Sequence, residues 1–279
     1  VELGSVSRAA AAHGVSQPSA SSRIKHLERQ LGMRLLDRGP SGSLPTDAGV
    51  VVAGWAETIL RAAHELEAGL SAFQAARAGR LRIVASFTIA EYLLPQWLDR
   101  FSRDHPRDSI ALEVANSTTV IDRLRHGAAD LGFIETPSEL DGLDEATVGN
   151  DELVTVVAPS HPWATPRTVP VEALAATPLV TREAGSGTRA ALAAALRDLG
   201  LGEPSAVLEL GSTSAVRAAV VHGNSPTVIS RLAVAAEVAA GQLVEIDVPG
   251  LSVARHLRAV WPAGTALPSL ARELLDDIR

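Results

Sequence analysis

Residues 14–31 (GVSQPSASSRIKHLERQL) restrict the fold of the N-terminal region more than any other stretch, because they read as a turn followed by a helix with one apolar side. Ala20, Ile24, Leu27 and Leu31 recur at helical spacing, while Ser19, Ser22, Arg23 and His26 fall on the opposite side. Ahead of them, Ser7 to His13 is a short run of helix formers that ends at Gly14, a residue able to stop a helix in left-handed backbone. Short helix, glycine turn, amphipathic helix is the order of a helix-turn-helix, and a polar helix face bearing arginine suits the major groove of DNA.

The charge is divided in a way that fits this reading. The whole chain carries −7, yet residues 1–50 hold six basic groups and four acidic ones, a local balance of +2 that leaves −9 for the remainder. An acidic body discourages nonspecific adhesion to DNA and leaves the contact to a local basic face. So small a positive balance per head also points to pairing of two heads. The absence of cysteine excludes disulfides, zinc-thiolate sites and thiol redox chemistry. No apolar run approaches the ~18 residues of a membrane span, and no secretion signal is visible, so a soluble cytoplasmic protein without a membrane partner is expected.

From Thr46 to Ala78 no proline interrupts the chain, and Trp55, Ile59, Ala62, Leu66, Leu70 and Phe73 recur every three or four residues. Such a seam predicts either a long helix packed on a second copy or an ordinary core helix; exposed charges at Glu57, Arg61, Glu65 and Glu67 favour the first. After Gly79 strands and helices alternate. Strands are expected at Leu81–Ala85, Ile110–Val114 and Leu131–Ile134, with helices at Ala90–Arg103 and Thr119–His126 between them. A second βαβαβ unit follows: Leu179–Thr181, helix Thr188–Leu199, Val207–Leu210, helix Thr213–His222 and Thr227–Ser230. Parallel sheets with helical crossovers are implied, in two α/β lobes around a cleft. Val154–Ala158 and His256–Trp261 are the expected crossings between lobes, and Leu267–Ile278 a helix returning to the first.

The N-terminal residues also carry a family resemblance. Gly4-Ser5-Val6-Ser7-Arg8-Ala9-Ala10, Val15-Ser16-Gln17-Pro18, Ile24, Leu27-Glu28, Leu31-Gly32, Arg38 and Thr46-Asp47-Ala48-Gly49 resemble, in order and spacing, the signature of LysR-type transcriptional regulators. The downstream half is similar to the family's effector-binding part. The resemblance implies an all-α winged helix-turn-helix head (residues 1–45), lacking about one helix that normally precedes the Gly-Ser motif. A dimerising linker helix (46–78) follows, then an α/β sensor (80–279) of type 2 periplasmic-binding-protein character. In that sensor, lobe one is 80–157 with 256–279, and lobe two is 158–255. It further implies double-stranded operator DNA, a homodimer or homotetramer, and RNA polymerase as partners.

Within the head, Ser16, Gln17, Pro18, Ser19, Ser22 and Arg23 are the expected DNA-facing residues, with Arg38 on a phosphate. In the sensor, ligands of parallel α/β sheets bind at the carboxyl ends of strands, where helix N-termini offer free N–H groups. Four turns have that character: Ser86 and Thr88, Asn116-Ser117-Thr118, residues 182–189, and Gly211-Ser212-Thr213. Each hydroxyl is equally a helix cap. The turn Gly185-Ser186-Gly187-Thr188-Arg189 is the sharpest, since its glycines admit close approach and the hydroxyls and helix N–H groups favour an anion. Arg182 and Arg189 could pair with that anion, although Arg182 could instead bridge Glu183 or Glu135. Glu135, at the end of Gly132-Phe133-Ile134, is either an acceptor facing the cleft or a solvated strand-end carboxylate. Together with Thr213 these residues form the expected effector site. The turn at residues 185–189 and residues 88–95 resemble a LysR subgroup that includes regulators of sulfur assimilation and carbon fixation, which implies a small anionic metabolite.

Catalysis is not expected. Ser186 is not in a nucleophile-elbow pattern, no histidine has a context tying it to a serine, and no His/Asp/Glu spacing calls for a metal or other cofactor. The competing function is a small-anion binding protein whose DNA-binding head does not work.

Overall fold

The computed structural model describes residues 4–12, 14–39, 42–77 and 80–278, leaving aside the side chains of 38, 39, 42, 64, 65 and 67–77. The chain divides into two compact units, Val1–Leu66 and Glu67–Arg279.

The first unit opens with α1 (Val6–Ala12) and α2 (Gln17–Leu31). The turn between them places Gly14 at φ 64°, a left-handed conformation that side chains with a Cβ resist. Ser16 caps α2 by accepting from the Ser19 amide at 3.3 Å. Pro18 sits in the first turn of α2, where its missing N–H costs nothing. A hairpin of β1 (Leu36–Gly39) and β2 (Gly42–Pro45) follows as the wing, antiparallel from Leu36 opposite Pro45 to Gly39 opposite Gly42. Glu28 holds the hairpin to α2, its Oε1 accepting from the amides of Leu35 at 2.8 Å and Leu36 at 3.2 Å. Thr46 then accepts from the Gly49 amide and opens the 31-residue α3 (Asp47–Arg77). The apolar side of α2 is covered less than its periodicity suggests: Ala20 and Ile24 are half-buried, whereas Leu27 and Leu31 are exposed.

The second unit runs β3 (Arg80–Ser86), α4 (Phe87–Tyr92), α5 (Leu94–Asp104), β4 (Ser109–Ala115), α6 (Ser117–Arg125), β5 (Leu131–Ile134) and β6 (Leu143–Val157). It continues with α7 (Val171–Ala176), β7 (Leu179–Arg182), α8 (Gly187–Asp198), β8 (Ala206–Leu210), α9 (Thr213–His222) and β9 (Thr227–Ser230). The last elements are α10 (Arg231–Ala239), β10 (Val244–Ile246), β11 (Val253–Pro262) and α11 (Ser269–Ile278). Strands β3, β4 and β5 are parallel, as a βαβαβ unit requires. Strands β3 and β5 are buried on both sides, with Leu81, Ile83 and Phe133 packed on α5 and α11 residues and Val84 and Ile134 packed on α6 residues, whereas the edge strand β4 is largely exposed.

Four expectations are corrected. The helix expected over Ala90–Arg103 is two helices, divided at Leu93 (φ −123°); Pro95 lacks the N–H that a continuous helix would have used, so α5 starts afresh there. Strand β9 does not extend the parallel pair β7–β8 but joins β6 antiparallel, with Leu153 opposite Ser230. The two crossing strands are far longer than their apolar cores: β6 and β11 pair from Val253 opposite Leu153 to Pro262 opposite Leu143, with a bulge between Leu257 and Arg258. The acidic, alternating half of β6 masks its length. Finally, α7, α10 and β10 stand where the sequence pattern assigns neither helix nor strand.

Strands β6 and β11 serve both lobes. Near Leu143 they continue into β5 through β11, and near Val157 they continue into β9 and β10 through β6. Lobe two is packed as two cores on either side of β6, one with Leu153 and Val157, the other with Val154 and Val156.

Candidate functional site

On the head, Ser16, Gln17, Pro18, Ser22 and Arg23 are exposed along the first turns of α2, and Ser19 is half-buried. Gln17 Nε2 donates to Ser21 Oγ at 3.1 Å, so its amide lies along its own helix. Arg38 lies on β1, with its side chain outside the described residues.

In the sensor, the parallel strands of lobe one end side by side. Ser86 on β3 is in register with Ala115 on β4, and Ala85 with Phe133 on β5. Strand spacing of ~4.8 Å therefore brings Ser86, the Asn116-Ser117 turn and Glu135 to one edge. Ser86, Ser117 and Glu135 are all buried. Lobe two presents the start of α8 to that edge. A Cβ on Gly187 would come within 2.8 Å of Ser117 Oγ and 3.0 Å of the Glu135 carbonyl carbon, so only glycine lets the helix approach so closely. Beside it, the Gly185 carbonyl accepts from the Thr118 amide at 3.2 Å and from Thr118 Oγ1 at 3.3 Å, while Asn116 Nδ2 donates to the Ala184 carbonyl at 3.4 Å.

The capping alternative holds for part of this set. Asn116 accepts from the Thr119 amide and Ser212 from the Ala215 amide, as caps do, whereas Ser86 and Ser186 occupy cap positions without accepting. Among the described residues, four buried side-chain polar atoms have no hydrogen-bond partner, and three of them, Ser86 Oγ, Ser117 Oγ and Glu135 Oε2, lie on this one edge. Such groups cost about 1–3 kcal/mol each when left unpaired, which marks the edge as built for something other than stability.

The floor is a buried charge network. Arg255 on β11 donates from Nε at 2.9 Å and Nη2 at 2.7 Å to Asp151 Oδ2 on β6, from Nη1 to Thr188 Oγ1 at 3.0 Å, and from Nη2 to Thr88 Oγ1 at 3.4 Å. Ser230 Oγ donates to the other Asp151 oxygen at 2.9 Å. Glu135 Oε1 stands 3.8 Å from Arg255 Nη1, beyond hydrogen-bond distance. Arg182 is bound elsewhere: Nε and Nη2 donate to Glu183 at 2.8 and 2.9 Å, Nη1 donates to Thr213 Oγ1 at 2.8 Å, and Phe87 of lobe one stacks 4.6 Å from the guanidinium. Burial by itself would raise the Glu183 pKa, but the hydrogen bonds and charge of Arg182 outweigh it and hold the carboxyl below its ordinary range. Arg189 serves Glu203 at 2.6 Å and Glu209 at 2.7 Å. The structure thus gathers Ser86, Thr88, Asn116, Glu135, Ser186, Gly187 and Thr188 where the lobes meet, with Arg182 and Thr213 paired alongside, and engages Arg189 on the β8 side.

Sequence reasoning misses Arg255 and Asp151, and it names the turn that holds Ser117 without singling out that hydroxyl. A signal for Arg255 is present, since it falls at an inward position of an alternating strand, between Val253 and Leu257. Among the described residues no His, Asp or Glu cluster could hold a metal ion, and no helix is long and apolar enough to cross a membrane.

Two family models match the chain. The model for the bacterial regulatory helix-turn-helix protein of the lysR family covers residues 1–50, and that for the LysR substrate binding domain covers residues 74–279. The HTH-type transcriptional regulator Rv2282c of Mycobacterium tuberculosis is 46% identical over 288 residues, covering 99% of this chain and 92% of that protein. The CcmR regulatory domain of Synechocystis PCC6803, solved in complex with 2-PG, is similar at a TM-score of 0.65 and 27% identity over 71% of this chain and 95% of that one. A full-length OxyR from Pseudomonas aeruginosa shares the fold at a TM-score of 0.62 and 24% identity, over 100% of this chain and 96% of that one.

Proposed function

Since the chain belongs to the LysR family, and is therefore a transcriptional regulator with a helix-turn-helix head and an effector-binding domain, we propose that it senses a small anionic metabolite between its lobes. One observation carries this reading: the unpartnered Ser86 and Ser117 hydroxyls, both buried, lie at a strand edge that also receives the N-termini of α6 and α8. Hydroxyl donors and helix N–H groups satisfy an anion without a matching full charge, and Arg255 stands behind them. The 2-PG held by the CcmR domain supports a small-molecule occupant of a sensor of this shape.

The head reads double-stranded DNA through Ser16, Gln17, Pro18, Ser19, Ser22 and Arg23, with Arg38 on the backbone. Two heads act together. The apolar residues of α3, with Trp55 at 66% and Ile59 at 69% exposure, are covered by a second copy, in a homodimer or homotetramer that works on RNA polymerase in the cytoplasm.

A thermal-shift screen of inorganic phosphate, sulfate, sulfite and small organic acids tests the sensor, because a ligand of the folded state raises the melting temperature. The active acids are then repeated on Thr88→Val combined with Ser186→Ala, which removes hydrogen bonds at nearly constant volume. Loss of the response is expected; a response retained in full places the site elsewhere. Gel shifts of the protein's own upstream DNA with Arg23→Ala and Gln17→Ala test the head. Removing a side chain that hydrogen-bonds a base through two atoms should cost about 1–3 kcal/mol of discrimination.

A further inference from the structure

The geometry points to Glu135 as the residue that selects the effector: the acid bound in the cleft must also carry a hydrogen-bond donor, a hydroxyl or an ammonium, close to its acidic group. This inference rests on the reading that an anion occupies the cleft and names the class of anion.

Glu135 is 2% exposed, and its Oε2 has no hydrogen-bond partner among the described residues. Arg255 forms a buried ion pair with its other oxygen, Oε1, but no hydrogen bond to either oxygen. Arg255 directs Nε and Nη2 to Asp151 and Nη1 to Thr188, leaving Glu135 Oε1 at 3.8 Å. A carboxylate offers only acceptors, whereas the Ser86 and Ser117 hydroxyls at the same edge can donate. Donors and acceptor lie on one strand edge: Ser86 is in register with Ala115, next to the Asn116-Ser117 turn, and Ala85 with Phe133, two residues before Glu135. Neighbouring strands lie about 4.8 Å apart, so a ligand a few atoms across reaches from one strand end to the next.

An anion without a donor, such as sulfate or propionate, would satisfy the hydroxyls while setting its charge against Glu135, a like-charge contact in a buried site. An acid with a neighbouring hydroxyl or ammonium turns that repulsion into a charge-assisted hydrogen bond. Discrimination of this kind is steep, since a site built around a buried acceptor rejects the analogue that leaves it unpaired.

The test is a thermal-shift titration of the full chain with matched acids: lactate, glycerate and serine against propionate, acetate and sulfate. In the wild type the donor-bearing acids should act at concentrations tenfold or more lower. In Glu135→Gln, whose amide can donate toward the anion, the preference should narrow or reverse. Propionate, acetate or sulfate acting as strongly as the donor-bearing acids on the wild type overturns the proposal, as does an unchanged preference in the variant. The wild-type comparison decides even if Glu135→Gln fails to fold. Stabilisation by both kinds of acid alike leaves the anion reading standing and removes only the role of Glu135. No response to any of the six removes both.

Discussion

Arg255 and Asp151 are opposite each other in register across β11 and β6, and they meet at 2.7 Å with both side chains buried. The pair lies on the strands that both lobes share, and Thr188 from lobe two and Thr88 from lobe one complete the arginine's contacts. Removing one member of a buried pair leaves an uncompensated charge. Asp151→Ala and Arg255→Ala are therefore each expected to destabilise the sensor by about 3–5 kcal/mol in urea unfolding. Replacing both by apolar residues should cost much less than the sum of the single changes.

Gly187→Ala tests whether the lobes must meet. The added methyl has no room against Ser117 Oγ and the Glu135 backbone, and overpacking of this kind costs about 1–3 kcal/mol. The expected result is a melting temperature lower by several degrees, together with a weaker response to small acids. An unchanged melting curve would show that α8 and the strand edge separate freely.

His105 makes the sensor's stability depend on pH. Its ring stacks 3.9 Å from Phe101, with Nε2 at 2.8 Å from Glu273 on α11 and Nδ1 at 3.1 Å from the Phe101 carbonyl. Both nitrogens face acceptors, so the protonated ring is favoured, and its pKa is raised, chiefly by the Glu273 hydrogen bond and then by the Phe101 carbonyl. A folded-state pKa above the unfolded value of about 6.5 contributes stability that is complete below that value and is lost as pH rises through the folded pKa. Thermal melts between about pH 5.5 and 8.5 should show the wild type's advantage over His105→Gln shrinking as pH rises. A constant or growing advantage would contradict this.

The apolar residues of α3 call for a partner. Ile59→Lys with Leu66→Lys introduces two charges into a surface that is now exposed and apolar, and the double variant should sediment at a lower mass while its sensor still melts cooperatively. An unchanged mass would mean that the copies associate elsewhere.

Much of this architecture is legible in the chain. Ser16, Pro18 and Gly32 mark the two ends of α2, and β5 lies where a four-residue apolar run stands, because local chemistry fixes caps and fully buried strands. The turns that gather at the cleft are readable for the same reason. What stays hidden depends on partners distant in sequence. Arg255 meets Asp151 across 104 residues; the alternation around Arg255 marks an inward position, but neither neighbourhood names the other residue as partner. The length of β6 escapes because Asp144, Glu145, Asp151 and Glu152 dilute its apolar pattern. The pairing of β9 with β6 rather than with β7 is likewise a choice made by the tertiary fold.

The lobes are joined by a hydrogen-bonded ribbon, β6 with β11, instead of by loose chain. Any rotation of one lobe against the other must therefore wind that ribbon, whose ladder is interrupted by the bulge between Leu257 and Arg258. The stiffness with which one lobe turns against the other is thus set by the hydrogen bonds of paired strands and not by the freedom of a linker.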